Sequence, residues 1–171
     1  MTRSALLLVF LLGSWCGATV FMWQVAIQNF AVANGLAESD NTGFKTVVSE
    51  LSTENLRSAV RYQASEVNRL FFNGWGWAQL PIALLAVFLA WKLGDKFILI
   101  AISIMTALTL FLQFYVVPET IRIGRLIDFI SEGELAAETE MFWILHHTYT
   151  GLDMSKFVVG LVAVFLLVRK H

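Results

Sequence analysis

The sequence predicts an all-α integral membrane bundle of four transmembrane helices with two amphipathic helical inserts, and three observations carry that prediction. Of 171 residues, 57% are hydrophobic and only 15% charged, against roughly 45–50% and about 25% in a soluble domain. Four stretches each hold about 20 largely apolar residues, the length a helix needs to cross a hydrocarbon core of about 30 Å. Two prolines and 11 glycines are too few for a disordered or collagen-like chain. An ordinary soluble enzyme is thereby excluded, and the lipid bilayer is the partner that composition implies. The net charge of −1 offers no basic surface to nucleic acid, so no nucleic-acid partner is expected. The single cysteine, Cys16, closes no internal disulfide and builds no thiolate metal site.

Residues 1–171 are expected to form one four-span domain. Span one covers 5–29. Arg3 precedes an apolar run as in a signal peptide, but the run continues past Trp23 and no A-x-A site follows. Leu12-Gly13-Ser14-Trp15-Cys16 also fails as a lipid-attachment box, because bulky Trp15 sits where a small residue belongs. The segment is therefore expected to stay as a helix. Within it Gly13 and Gly17 form G-x-x-x-G, which lets a second helix backbone approach closely. The same stripe continues to Gln24 and Gln28.

The first insert covers 44–72. It follows a turn-forming stretch, 34–43, that contains Asn-Gly, Ser-Asp-Asn and Thr-Gly. From Ser52 onward Leu56, Ala59, Val60, Ala64, Val67, Leu70 and Phe71 fall on one helical stripe, with Arg57, Arg61, Glu66 and Arg69 elsewhere. Ser52 or Thr53 is the cap, with Glu54 in the first turn. Packing on its own bundle is the plainer role for this helix, and contact with lipid headgroups the sharper one. Span two, 75–93, is almost purely apolar, with Gln79 and Pro81 near its start, where a proline is tolerated.

Span three covers 97–117, with Ser103, Thr106, Thr109 and Gln113 on one face. At Val117-Pro118 the chain passes into the second insert, 118–131, where Glu119 and Arg122, three apart, can pair. The acidic run Glu132, Glu134, Glu138 and Glu140 suits a solvated loop. Span four covers 141–168. Its apolar core, 157–168, is short and needs the mixed stretch before it. The pattern of span, insert, span then repeats, without residue identity between the halves.

An even number of spans puts both termini on one side. Arg3, Lys92, Lys96, Arg169 and Lys170 then share that side with one acid, Asp95, leaving seven bases and twelve acids on the other. Raw counting of bases favours the opposite orientation. The positive-inside rule, however, weights short loops near span ends, and acids contribute little to it. Lys92 and Lys96 flank a tight turn, so both termini are expected in the cytoplasm of a multi-pass cell-membrane protein.

Polar residues are costly in lipid unless they face the bundle interior, which makes span four the most informative segment. His146, Tyr149, Asp153, Lys156 and Gly160 recur at steps of three and four, hence on one helix face. Together with Glu119, Arg122 and His147 they are expected to form a polar pocket at the non-cytoplasmic end. Glu119 and Arg122 would present charges, His146 and Tyr149 hydrogen bonds, and the Asp153–Lys156 pair would orient the pocket. The plainer alternative is that Asp153 and Lys156 pair with each other or with Arg122 and fix helix register. Gly13, Gly17 and Gly160 are the expected helix-packing positions.

Catalytic and cofactor chemistry find little support. His146 and His147 point about 100° apart on a helix, so they cannot be the two axial ligands of one iron. The third histidine, His171, falls at the opposite membrane face, and a His/Met site using Met22 or Met105 has no further support. Adjacent histidines plus Asp153 lack a zinc spacing. Quinone would suit His, Tyr and Trp near an interface, but nothing singles it out. No phosphate loop, serine elbow or H-E-x-x-H occurs. No catalytic residue, cofactor or metal is therefore assigned.

Three places carry a resemblance: Gly13-Ser-Trp15-Cys-Gly17 with Trp23; Pro118-Glu119-Thr-Ile-Arg122; and Phe142-x-x-x-His146 followed by Leu152 and Gly160. With the overall spacing, these make the chain resemble the transmembrane protein 205-like family, small four-span membrane proteins of unknown function. The resemblance implies fold and topology, and that Pro118, Glu119, Arg122 and His146 matter together. It implies no reaction. The doubled histidine departs from the pattern and leaves open whether His146 or His147 occupies the family position.

The expected activity is binding of a small molecule, ion or lipid headgroup, or an accessory role in its transport. One alternative is a structural subunit of a larger membrane complex, with the Gly13/Gly17 face docking a second copy or another membrane protein. The other is a redox protein carrying haem or quinone.

Overall fold

The computed structural model describes residues 2–130 and 134–170. Among them every regular element is helical, and four helices are long and apolar enough to cross a membrane. The chain is an all-α bundle with the architecture of a multi-pass membrane protein.

Helix α1, Arg3–Ala37, starts where Thr2 Oγ1 accepts from the Ala5 amide at 3.2 Å. A short α2, Thr42–Val47, is capped by Asn41. Helix α3 then runs unbroken for 41 residues, Thr53–Leu93, about 60 Å at 1.5 Å per residue. Ser52 is its cap, accepting from the Asn55 amide at 3.1 Å. From Thr53 on, the first insert and span two are thus one helix, while the insert's start at 44–47 belongs to α2. No glycine–proline break separates them, and a helix leaving lipid keeps its backbone bonds internal, so it has no cause to stop at the boundary. Pro81 consequently lies deep inside α3, not in a first turn, and the Trp77 carbonyl lacks its usual donor.

Gly94, at φ 76°, closes α3 in a left-handed C-cap. Asp95 starts α4, Lys96–Phe111, by accepting from the amides of Phe97 and Ile98 at 3.0 and 3.2 Å. A π-helical segment, Leu112–Val116, leads directly into α5, Val117–Ile127. The second insert therefore continues span three. Pro118 explains the widened turn before it: its ring would press on the carbonyl four residues back, and a π turn relieves that contact. The insert's expected end at Ser131, and Glu132 of the acidic run, lie outside the described residues, as does His171. Glu138 and Glu140 belong to α6, Ala136–Lys170, which carries span four.

Helices α1, α3, α4 and α6 pack side by side, and α5 leans on α6. Trp15 meets Gln79 and Asn29 meets Asn68, while Cys16 lies by Gly160 and Trp23 by Asp153, so α1 runs antiparallel to both α3 and α6. Arg3, the Gly94 turn and Lys170 consequently share one end, where Lys170 Nζ lies 2.8 Å from Asp95 Oδ2. The interior near this terminal end is wholly apolar, built on Leu8, Leu12, Ala86, Ile98, Ile102 and Leu167. The opposite, head end holds a smaller apolar cluster of Leu112, Val116, Ile123 and Leu145. Polar side chains occupy the interior between the two.

Candidate functional site

The central feature is an ion pair inside the bundle. Asp153 and Lys156 sit one turn apart on α6 and are each 1% exposed. Lys156 lies about 18 Å along the helix from Val168, close to the middle of a span of about 30 Å. Their phase is set by the α6 sequence: Leu145, Asp153, Lys156, Gly160, Ala163 and Leu167 form its buried stripe.

Four side chains from neighbouring helices enclose the pair. Lys156 Nζ lies 2.7 Å from Asp153 Oδ1 and also donates to Gln79 Oε1. The same Gln79 oxygen accepts from Trp15 Nε1 at 2.8 Å. Trp23 Nε1 donates to Asp153 Oδ2 at 2.8 Å, and Lys156 stands 5.8 Å from the centroid of the Trp15 ring. Trp23 is steadied edge-on by Phe157, with ring centroids 5.3 Å apart. Cys16 and Gly160 close the base: a Cβ at position 160 would sit 2.8 Å from Cys16 Sγ. The lysine is thus held by a carboxylate, an amide oxygen and an indole face.

Lys156 satisfies Asp153 Oδ1 by ion pairing at 2.7 Å. Nearer the head, Gln113 in the π segment is 3% exposed; its amide nitrogen donates to Asn73 Oδ1 at 3.3 Å, while its Oε1 has no hydrogen-bond partner among the described residues. Gly76 makes room for this amide, since any Cβ there would overlap Gln113 Oε1. Above them Asn29 and Asn68 bond to each other at 3.0 Å and to backbone carbonyls. Buried amides therefore lie on the head side of the ion pair, beside the head-end apolar cluster, and not in the apolar terminal half.

The sequence-predicted pocket residues do not converge on one cavity. Glu119 and Arg122 pair with each other at 2.8 Å on the surface of α5, and the Arg122 side chain is 60% exposed. His146 and His147 are exposed; Phe142 stacks on His146 and Trp143 on His147, with centroids 6.1 and 5.9 Å apart. Tyr149 is half-buried, edge-on to Phe72 at 5.3 Å. Of the predicted pocket residues, only Asp153 and Lys156 meet inside the bundle. His146 shares the helical phase of Asp153, yet a face is buried only where a neighbouring helix covers it. At that level α6 turns Leu145 and Phe142 against α5 instead.

The packing glycines divide as well. Gly160 is buried against Cys16 and Met105, whereas Gly13 and Gly17 are exposed and a Cβ on either would meet nothing within 4 Å. Gln24 and Gln28, on the same stripe, are exposed too.

Sequence reasoning placed Gln79, Trp15 and Trp23 on their spans but gave them no part in the site. The available signal was weak: Gln79 is the one amide in an otherwise apolar stretch, and polar residues in spans turn inward. A second group was missed at the head. Arg69 makes two bonds to Asp128, at 2.7 and 2.8 Å, and reaches Glu66 at 2.7 Å. Arg125 makes two more to Glu66, at 2.9 and 2.8 Å. The two guanidinium groups, Arg125 above all, pull the Glu66 carboxyl down from 4.5 to about 2. Gly124 admits Arg69, since a Cβ there would lie 2.8 Å from its Nη2.

Among the described residues no group of three or more His, Cys, Asp or Glu side chains is placed to hold a metal ion. No family model, no curated protein and no solved structure matches the chain.

Proposed function

We propose that this protein binds a small polar molecule or ion inside the membrane, directly or as an accessory to its transport, and that the Asp153–Lys156 cage is the binding element. The observation that carries the reading is an ion pair at mid-span that is 1% exposed on both sides. Moving two such charges out of water costs on the order of 20 kcal/mol per ion before relaxation and pairing. Ionisable groups in spans mark ligand or ion pathways. Glu119, Arg122, His146, His147 and Tyr149 lie towards the head, on the same side of the ion pair as the buried amides Gln113 and Asn68. In the resemblance to the transmembrane protein 205-like family, the matched Glu119, Arg122 and His146 would serve approach, not holding.

Orientation belongs to the same proposal: termini in the cytoplasm, head outside, supported by the bases that flank the Gly94 turn. A reporter fused after His171 that is active only outside the cytoplasm would reverse it.

The test uses the two indoles bonded to the cage. Tryptophan emission of the purified protein is titrated with ammonium, phosphate, choline and acetate. At least one probe is expected to shift the emission of the wild type and none that of Asp153→Leu/Lys156→Met. That double variant should fold, since replacing a buried pair by apolar residues is neutral or stabilising by about 1–4 kcal/mol, whereas either single change costs about 3–5 kcal/mol. No response from the wild type to any probe, with a double variant of unchanged stability, would make the pair a packing element.

A second reading, a structural subunit of a larger complex, is favoured by Gly13 and Gly17. Both face out of the bundle with open space before them, so this close-approach stripe is unused within the chain.

A further inference from the structure

We propose that the cage takes up a small monocarboxylate together with one proton, so that its net charge is zero before and after binding; this rests on the binding reading above. The reason is electrostatic. The site holds one cation and one anion, Lys156 and Asp153. Its described surroundings add no compensating charge: α1 contributes Trp15, Cys16 and Trp23, α3 contributes Gln79, and α4 contributes Met105 beside Gly160. On α6 itself the nearest titratable groups are Tyr149 and His146, one and two turns towards the head. A lone anion or a lone proton would leave a net charge near the bilayer centre, where charges are expelled or neutralised. An anion arriving with a proton leaves none.

The carboxylate is indicated by what the cage already holds. Trp23 Nε1–H and the Lys156 ammonium both address the Asp153 carboxylate, so the donors for a carboxylate are in place. Binding exchanges one carboxylate for another. A proton from hydronium on the head side forms an O–H bond at Asp153 Oδ1, the oxygen paired with Lys156. The protonated side chain releases Lys156, and the ligand carboxylate becomes the anion that faces the ammonium. One proton and one carboxylate enter per site, and nothing is oxidised or reduced.

Approach is from the head. The terminal half is sealed by apolar side chains from all four spans. On the head side, His146 shares the phase of Asp153 but is exposed, and half-buried Trp23 is bonded directly to the carboxylate as a lid. Exposure along that face of α6 therefore ends at Trp23.

Calorimetry of the full chain in lipid nanodiscs, titrated with acetate in buffers of different ionisation enthalpy, counts protons per ligand. The wild type is expected to take up one proton per acetate. Its affinity should fall about tenfold per pH unit once Asp153 must be protonated on binding. Asp153→Asn, already neutral at that position, is destabilised by leaving Lys156 unpaired, so it is read in nanodiscs at a temperature where it is folded. There it should bind acetate without proton uptake. Asp153→Leu/Lys156→Met should bind none. Acetate binding by the wild type without proton uptake overturns the inference, and so does no acetate binding at any pH while another probe still shifts the tryptophan emission. In both cases the binding site itself survives. A folded double variant that binds acetate like the wild type overturns inference and site together.

Discussion

Lys156 shows how much a single residue can ask of its neighbours. Its ammonium needs acceptors that lipid cannot supply, and it finds them on its own helix at Asp153 and across the bundle at Gln79. The partner on α6 was legible, because residues three apart share a face. The partners of the pair on α1 and α3 were not, because sequence separations of 130 residues to Trp23 and 77 to Gln79 carry no periodic signal. Gly76 makes the same point through absence of a side chain. Gln113 lies directly over it, so Gly76→Ala should displace the amide and break its bond to Asn73. A loss of about 1 kcal/mol is expected, measured by chemical denaturation in detergent. In a Gln113→Ala background the same change should cost close to nothing; an equal cost in both backgrounds would sink this explanation.

At the scale of elements, α3 and the α4–α5 arm each carry a membrane span and a head segment without interruption. Apolar composition marked where lipid begins, and it was natural to end helices there. Helices end at caps and breakers instead, and Gly94 is the one such signal between α3 and α4. The head segments are then joined by ion pairs, with Glu66 of α3 shared between Arg69 and Arg125. Its carboxyl titrates at about 2 in the fold against 4.5 ordinarily. A depressed carboxyl pKa stabilises the folded form above the ordinary value and loses that contribution as pH falls towards the folded one. Contact between α3 and α5 should therefore weaken between about pH 4.5 and 2. Hydrogen exchange over residues 118–127 at several pH values would show it, and Glu66→Gln should flatten the profile. An unchanged profile in that variant would assign the acid sensitivity elsewhere.

For the whole molecule, polarity is distributed by end. One half of the interior is apolar, and the other carries the ion pair, the buried amides and a smaller apolar cluster. The surface has its own asymmetry, the open Gly13/Gly17 stripe with Gln24 and Gln28. If that stripe docks a partner helix, Gly13→Leu/Gly17→Leu should leave the monomer folded, since neither glycine touches the rest of the chain. The variant should shift light-scattering mass or cross-linking towards the monomer. An unchanged assembly would remove the docking role.

Sequence alone determined the class of solvent, the number of spans and the shared side of the termini, because hydropathy and helix length are local sums over neighbouring residues. It also placed Asp153 and Lys156 on one face. Tertiary structure decided which polar residues became a site. Burial depends on whether another helix stands opposite, so His146 and Asp153, alike in phase, ended exposed and enclosed. Gln79, Trp15 and Trp23 joined the pair because antiparallel packing brought their levels together, and only the assembled bundle sets those levels.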